Sequence, residues 1–312
     1  MTTERAAAPS IDRRGFAAAF SAFLTWGLLP LYLKQLEDTG PLEIMAHRVV
    51  WACLFVFGYL ALRRDLGKVV TVLRDRKMLL WLSASAVLIS ANWLLYVWAV
   101  TANHIVETSL GYFINPLVSV LFGVFILRER LNRLQWTSIA IAALGVLWLT
   151  LQAGRPPWIA LALALTFGSY GLIRKMVIVE SVVGLGVETL LIAPVMLGYL
   201  LWIAHTGTMN FLAHDGLLDL LLIASGAFTA IPLVMFAYGV RRVALSTIGV
   251  MQYVGPMLQL LTGVFLYREG FSQVQLIGFG LIWLAIVLYA GEGLWRGRRT
   301  RIAARRRPLP AQ

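Results

Sequence analysis

Apolar residues in this chain fall in long, nearly unbroken runs, unlike the alternating or every-third-and-fourth patterns of a water-soluble fold. The runs cover about 16–34, 44–62, 78–100, 106–127, 133–151, 157–176, 184–204, 217–239, 245–267 and 273–291. Most hold ~18–23 residues, enough at ~1.5 Å per residue to cross a hydrocarbon layer ~30 Å thick. Inside a bilayer no water is present to satisfy backbone amides, so each run is predicted to be a helix. The pattern predicts an all-α polytopic membrane protein of ten transmembrane helices. Residues 1–15 form a short cytoplasmic segment before the first run, and residues 292–312 form an Arg-rich cytoplasmic tail after the last.

Composition agrees with the pattern. The 312 residues are 59% hydrophobic and 13% charged, whereas soluble domains average ~45–50% apolar and ~25% charged. The net charge of +12 would point to nucleic acid in a soluble protein, but here it has another cause. Of the 27 basic residues, all but Lys34, Arg155, Arg268 and the within-run Arg48 fall in alternate connections, beginning with the N-terminal segment. That asymmetry orients the chain with both termini in the cytoplasm of a bacterial inner membrane. Nucleic acid is therefore not an expected partner; the lipid bilayer and a small-molecule substrate are.

The chain also matches itself at an offset of about 140 residues. The stretch 112–136 lies over 252–276, pairing Pro116 with Pro256, Gly123 with Gly263, Arg128 with Arg268 and Glu129 with Glu269. Nearer the start of each half, Thr25-Trp26-Gly27 and Lys34 align with Thr166-Phe167-Gly168 and Lys175. Each half, 16–151 and 157–291, holds five runs, an odd number, so the second copy enters the membrane from the opposite side. Inverted repeats of this kind build secondary transporters, in which two half-bundles pack in two nearly equivalent ways.

Polar and ionisable groups within apolar runs are costly and so mark candidate sites. Tyr112 and Asn115 share a face of the fourth run, as do Gln252 and Gln259 in the ninth and Asn92 and Tyr96 in the third. Repeat symmetry pairs Tyr112 with Gln252 and Ser119 with Gln259, so these faces are expected to meet around a central cavity. Tyr253, His47 and Glu188 complete the candidate substrate-binding set, and Glu107, Glu188 and His47 are candidates for proton coupling. Arg48 is read either as part of this set or as a side chain reaching to the interface. Pro116 and Pro256, near the middle of their runs, each remove a helical hydrogen bond and are candidate hinges. Trp26, Trp93, Trp98 and Tyr170 are candidate pocket walls, whereas Trp81, Trp136 and Trp158 suit the interfacial belt. Small residues at four-residue spacing (Ala86/Ser90, Ser138/Ala142, Ala160/Ala164, Gly226/Ala230) suit close helix contacts.

Other chemistry is not expected. The single Cys53 and the scattered His47, His104, His205 and His214 form no metal-ligand cluster, no cofactor motif is present, and no Gly-rich phosphate loop implies ATP hydrolysis. A membrane-embedded enzyme would need a catalytic constellation that the chain lacks. A passive channel is the other alternative, although no filter loop is visible.

Several segments together resemble the RarD group of EamA-type permeases in the drug/metabolite transporter superfamily. They are His47-Arg48 with Trp51, Asn92-Trp93 with Tyr96, the run Glu107–Leu117, Glu129-Arg130-Leu131 with Gln135-Trp136, Tyr170–Lys175, Glu188-Thr189 with Pro194, and Gln252-Tyr253 with Pro256. The likeness covers about 15–291. It implies ten helices in two inverted EamA-like halves and the passage of small metabolites or drugs across the membrane by alternating access.

Overall fold

The computed structural model describes residues 12–36, 39–101, 105–152, 158–213, 216–266 and 272–305. These are helical, with short turns. The helices are α1 (Arg13–Leu33), α2 (Pro41–Leu62), α3 (Leu66–Arg74), α4 (Arg76–Thr101), α5 (Ile105–Phe125), α6 (Arg133–Gln152), α7 (Trp158–Met176), α8 (Ser181–His205), α9 (Gly216–Val240), α10 (Leu245–Gln252), α11 (Val254–Leu261) and α12 (Gln273–Arg305). Among the described residues, seven helices are individually long and apolar enough to cross a membrane: α1, α2, α4 and α6–α9. The apolar parts of α5 and α12 are shorter, Gly111–Phe125 and Leu276–Tyr289.

The ninth run departs from the expected continuous helix. It divides into α10 and α11, followed by a π-helical turn over Thr262–Leu266. Pro256 explains the break, because a proline ring clashes with the carbonyl four residues before it. That residue is Gln252, where α10 ends. The ladder resumes with the Met257 amide donating to the Tyr253 carbonyl at 3.1 Å. Its repeat partner Pro116 lies inside an unbroken α5, so only one of the two candidate hinges interrupts its helix.

The nine-residue α3 was not expected from hydropathy. It lies in the basic connection after α2, where Val69 is buried against the bundle while Leu66 and Val70 stay exposed. One apolar face and one charged face suit the membrane surface.

Large apolar side chains point outward all round the bundle, among them Leu62, Leu80, Val195 and Phe265. In water such a surface would aggregate, whereas hydrocarbon solvates it. Inside, small residues let the helices approach. Ala86, Ser138, Ala142, Ala160, Ala164, Gly226 and Ala230 are all buried. The closest approach that matters for the site is at Gly249, where an added Cβ would come 2.6 Å from the Pro116 carbonyl oxygen. This contact seats α10 on α5.

The helices have neighbours in both halves. α1 packs on α9 and α7 on α4; α2 packs on α9 and α8 on α4; α5 packs on α7 and α11 on α1. Three further pairs, α2–α8, α5–α10 and α6–α12, join the halves directly. Exchanging the first-half helices α1, α2, α4, α5 and α6 for α7, α8, α9, α10/α11 and α12 maps this set of pairs onto itself.

Candidate functional site

A cavity of about 140 Å3 lies between α1, α2, α4, α5, α7, α9 and the α10–α11 break. It runs from Gln252 and Pro256 in mid-bundle to Leu33, the last residue of α1. Aromatic rings form much of its wall. Trp26 meets Phe167 edge-on with centroids 5.8 Å apart, and these two residues are related by the sequence repeat. Tyr96 meets Tyr112 at 5.9 Å.

Polar groups enter this wall at few points. Asn92 is fixed, its amide donating to the Leu163 carbonyl and the Thr166 hydroxyl, both at 2.9 Å. Gln252, buried at the α10 terminus that Pro256 creates, exchanges hydrogen bonds with Ser119 at 3.1–3.2 Å. Asn115, one turn beyond Tyr112, is buried, and its side-chain oxygen has no partner among the described residues.

Arg48 is the one charged residue among the cavity's described lining. Its Nε donates to the Thr229 hydroxyl at 2.9 Å, whose own proton goes to the Ser225 carbonyl at 2.8 Å. The guanidinium carbon sits 5.4 Å from the Trp93 ring, within cation–π range. Arg48 therefore turns inward rather than reaching for the interface. The sequence signal was an arginine about a turn into an apolar run, with Trp93, Tyr96 and Tyr112 as candidate neighbours.

Of the expected binding residues, the structure brings Asn92, Tyr96, Tyr112, Asn115 and Gln252 to this cavity, with the candidate hinge Pro256. His47 lies elsewhere, under the connection after α8. Its Nδ1 accepts from Trp51 Nε1 at 3.2 Å, and its ring is 4.8 Å from Phe211. That connection is held by Glu43, whose carboxylate accepts from the Asn210 amide at 2.7 Å and the Phe211 amide at 3.2 Å. Tyr253 is buried and lines, with Pro116, a separate small void of about 10 Å3. The side chains of Glu107 and Gln259 lie outside the described residues, as do His104, His214, Arg155 and Arg268-Glu269.

Glu188 also lies off the cavity. It is buried, accepting from the Ser85 hydroxyl at 2.6 Å and lying 3.5 Å from the Arg174 guanidinium. Arg174 in turn donates to the Ser181 carbonyl at 3.0 Å. From sequence Arg174 looked like one more cytoplasmic charge; a lone glutamate inside an apolar run was the sign that it had a counter-ion.

Glu188 lines a small void of about 10 Å3 that shares Trp93, Thr229 and Leu233 with the cavity wall, so this network starts next to the cavity, and further polar contacts tie the end of the bundle beyond it. Glu129 caps the N-terminus of α10: its two oxygens accept from the Leu245 amide at 2.6 Å and the Ser246 amide at 2.9 Å. A carboxylate there satisfies free amides and opposes the positive end of the helix dipole. Arg128, in the left-handed region at φ 56°, turns the chain out of α5 and aims Glu129. Gly123 leaves room, because an added Cβ would meet Glu129 Oε2 at 2.7 Å. Lys175 ties the same corner, donating to the Val240 and Val243 carbonyls at 3.1 and 2.5 Å. Arg241 reaches the Val179 carbonyl. At the rim, exposed Lys68 bridges Asp65 and Glu180 at 2.9 Å each, and hydrogen bonds to those carboxylates raise its pKa above the ordinary lysine value.

The EamA-like transporter family model matches residues 13–151 and again 156–291. The chain belongs to that family. Among its curated relatives, the protein RarD of Streptomyces exfoliatus is 43% identical over 291 residues, covering 93% of this chain and 92% of the relative. The transporter YojE of Bacillus subtilis is 42% identical over 280 residues, covering 89% and 93%. The protein RarD of Escherichia coli K12 is 38% identical over 288 residues, covering 92% and 97%. A solved crystal structure superposes with TM-score 0.67 at 20% identity, covering 88% of this chain and 96% of that one, so the two share a fold. This EamA-family chain is thus a RarD-type permease, a multi-pass membrane transporter of the drug/metabolite type.

Proposed function

We propose that this permease is a secondary transporter of the inner membrane, with both termini in the cytoplasm, moving small metabolites or drug-like molecules by alternating access. The observation that carries the reading is the contrast between the two ends of the bundle. At one end a cavity is lined from both halves of the chain; at the other, Glu129 and Lys175 tie cavity helices together, and Arg174 links α7 to Glu188 of α8. Alternating access needs both features, a resting place for solute and a seal on one side of it at a time. Charge asymmetry supports a reading in which the cavity end faces outside and the tied end faces inside.

The second state follows from the repeat. The self-exchanging set of helix neighbours supports a pseudo-twofold axis in the membrane plane, which would relate two inverted halves. On this reading Glu188 serves the seal rather than the solute, and His47 serves the outer connection.

The test is uptake into proteoliposomes from a small-molecule extract of cells, read by mass spectrometry with and without the same extract preloaded inside. Selective, saturable uptake of unmodified solutes, accelerated by preloading, is expected. Unselective entry without acceleration would indicate a channel, and altered products an enzyme; either result overturns the reading.

A further inference from the structure

The cavity's polar groups do not fit an uncharged, purely apolar solute. Among the described residues, Arg48 has one hydrogen-bond partner, Thr229, and that bond uses Nε. The terminal nitrogens are left to a ligand. A guanidinium in an apolar, aromatic-walled chamber is costly unless paired, and its fork matches the two oxygens of a carboxylate or similar oxyanion. The Trp93 face and the Thr229 hydroxyl hold the plane of the guanidinium in advance, so little ordering remains to be done on binding. A second, independent observation comes from the same chamber: Asn115 is 6% exposed, lines the cavity, and leaves its side-chain oxygen without a donor. An acceptor in that position calls for an N–H or O–H on the solute. The chamber wall also holds Trp26, Phe167, Tyr96 and Tyr112, which suits a flat apolar body.

We infer that the transported solute is a small organic anion with a flat apolar body, its oxyanion held by Arg48 and a hydrogen-bond donor accepted by Asn115. The assignment rests on the transporter reading and narrows it. Cations and uncharged amphipathic solutes are the wrong class for this chamber, because Arg48 repels the first and is left without a counter-charge by the second.

Binding to the purified protein tests the inference through the fluorescence of the cavity tryptophans. The probes are 3-phenylpropionate, its amide, the corresponding 3-phenylpropylamine, and 3-phenyllactate, which adds a hydroxyl. The carboxylate is expected to bind about tenfold or more tightly than the amide, and the amine more weakly still. R48Q removes the preference, R48K keeps part of it, and K68Q, a change at the exposed rim, keeps all of it. Phenyllactate binds more tightly than phenylpropionate, and N115L erases that gain. Equal or stronger binding of the amide or amine, or a preference that survives in R48Q, overturns the anion assignment. No gain from the hydroxyl overturns the role of Asn115. Failure of all four probes to bind overturns the substrate class while leaving selective exchange of extract solutes, and so the transporter reading, standing.

Discussion

At the scale of single residues, the structure separates groups that touch solute from groups that hold the frame. Glu188 shows the difference. It stood out in the sequence because an isolated carboxylate in an apolar run is expensive, and the same reasoning makes Arg174 its necessary partner once the two are seen 3.5 Å apart. Removing one member of a buried pair strands the other at a cost of ~3–5 kcal/mol. Glu188→Gln is therefore expected to lower thermal stability in detergent sharply, while ligand affinity in the surviving folded fraction stays near wild type. A large loss of affinity at unchanged stability would return Glu188 to the binding site. Glu129 acts differently, through two amides of α10. Glu129→Gln keeps the shape and removes the charge, and should weaken the seal by ~1–2 kcal/mol. Gly123→Ala should do the same by displacing the carboxylate. Both are read from faster alkylation of a cysteine placed at Ser246.

At the scale of elements, most of the architecture was legible because the bilayer imposes a simple rule of one long apolar run for one helix. What hydropathy does not encode is where a run breaks. Pro116 and Pro256 look alike in sequence, yet α5 continues through one and the other separates α10 from α11. The difference lies in tertiary surroundings: the Pro116 segment is clamped by Gly249 and α7, whereas Gly255 beside Pro256 adds a flexible residue. α3 was missed for the complementary reason, since its nine residues have an amphipathic pattern too short and too charged to count as a span. The cavity residues Asn92, Tyr96, Tyr112, Asn115 and Gln252 were legible as polar faces of apolar helices. Arg48 was harder, because only packing distinguishes a side chain turned inward from one reaching outward. Pro256→Ala should join α10 to α11 and slow amide exchange over 252–256, measured by mass spectrometry. Gly249→Leu should push α10 from the Pro116 carbonyl and lower stability by ~1–3 kcal/mol, seen as a lower melting temperature.

For the whole molecule, the account depends on two halves of opposite direction around one chamber. The sequence repeat, the double match to one family model and the exchange symmetry of helix neighbours all support it. Single cysteines at Arg130 and Gly270, in a Cys53→Ser background, are predicted to react with an impermeant maleimide from opposite sides of the membrane. The most direct measurement places the only cysteine inside the chamber, at Gln252, and follows its reaction with an impermeant thiol reagent applied to right-side-out and to inside-out vesicles. Alternating access predicts reaction from both sides, faster from outside, with Glu129→Gln speeding the cytoplasmic rate and slowing the external one. Reaction from one side only, or rates that rise together on both sides, would contradict it.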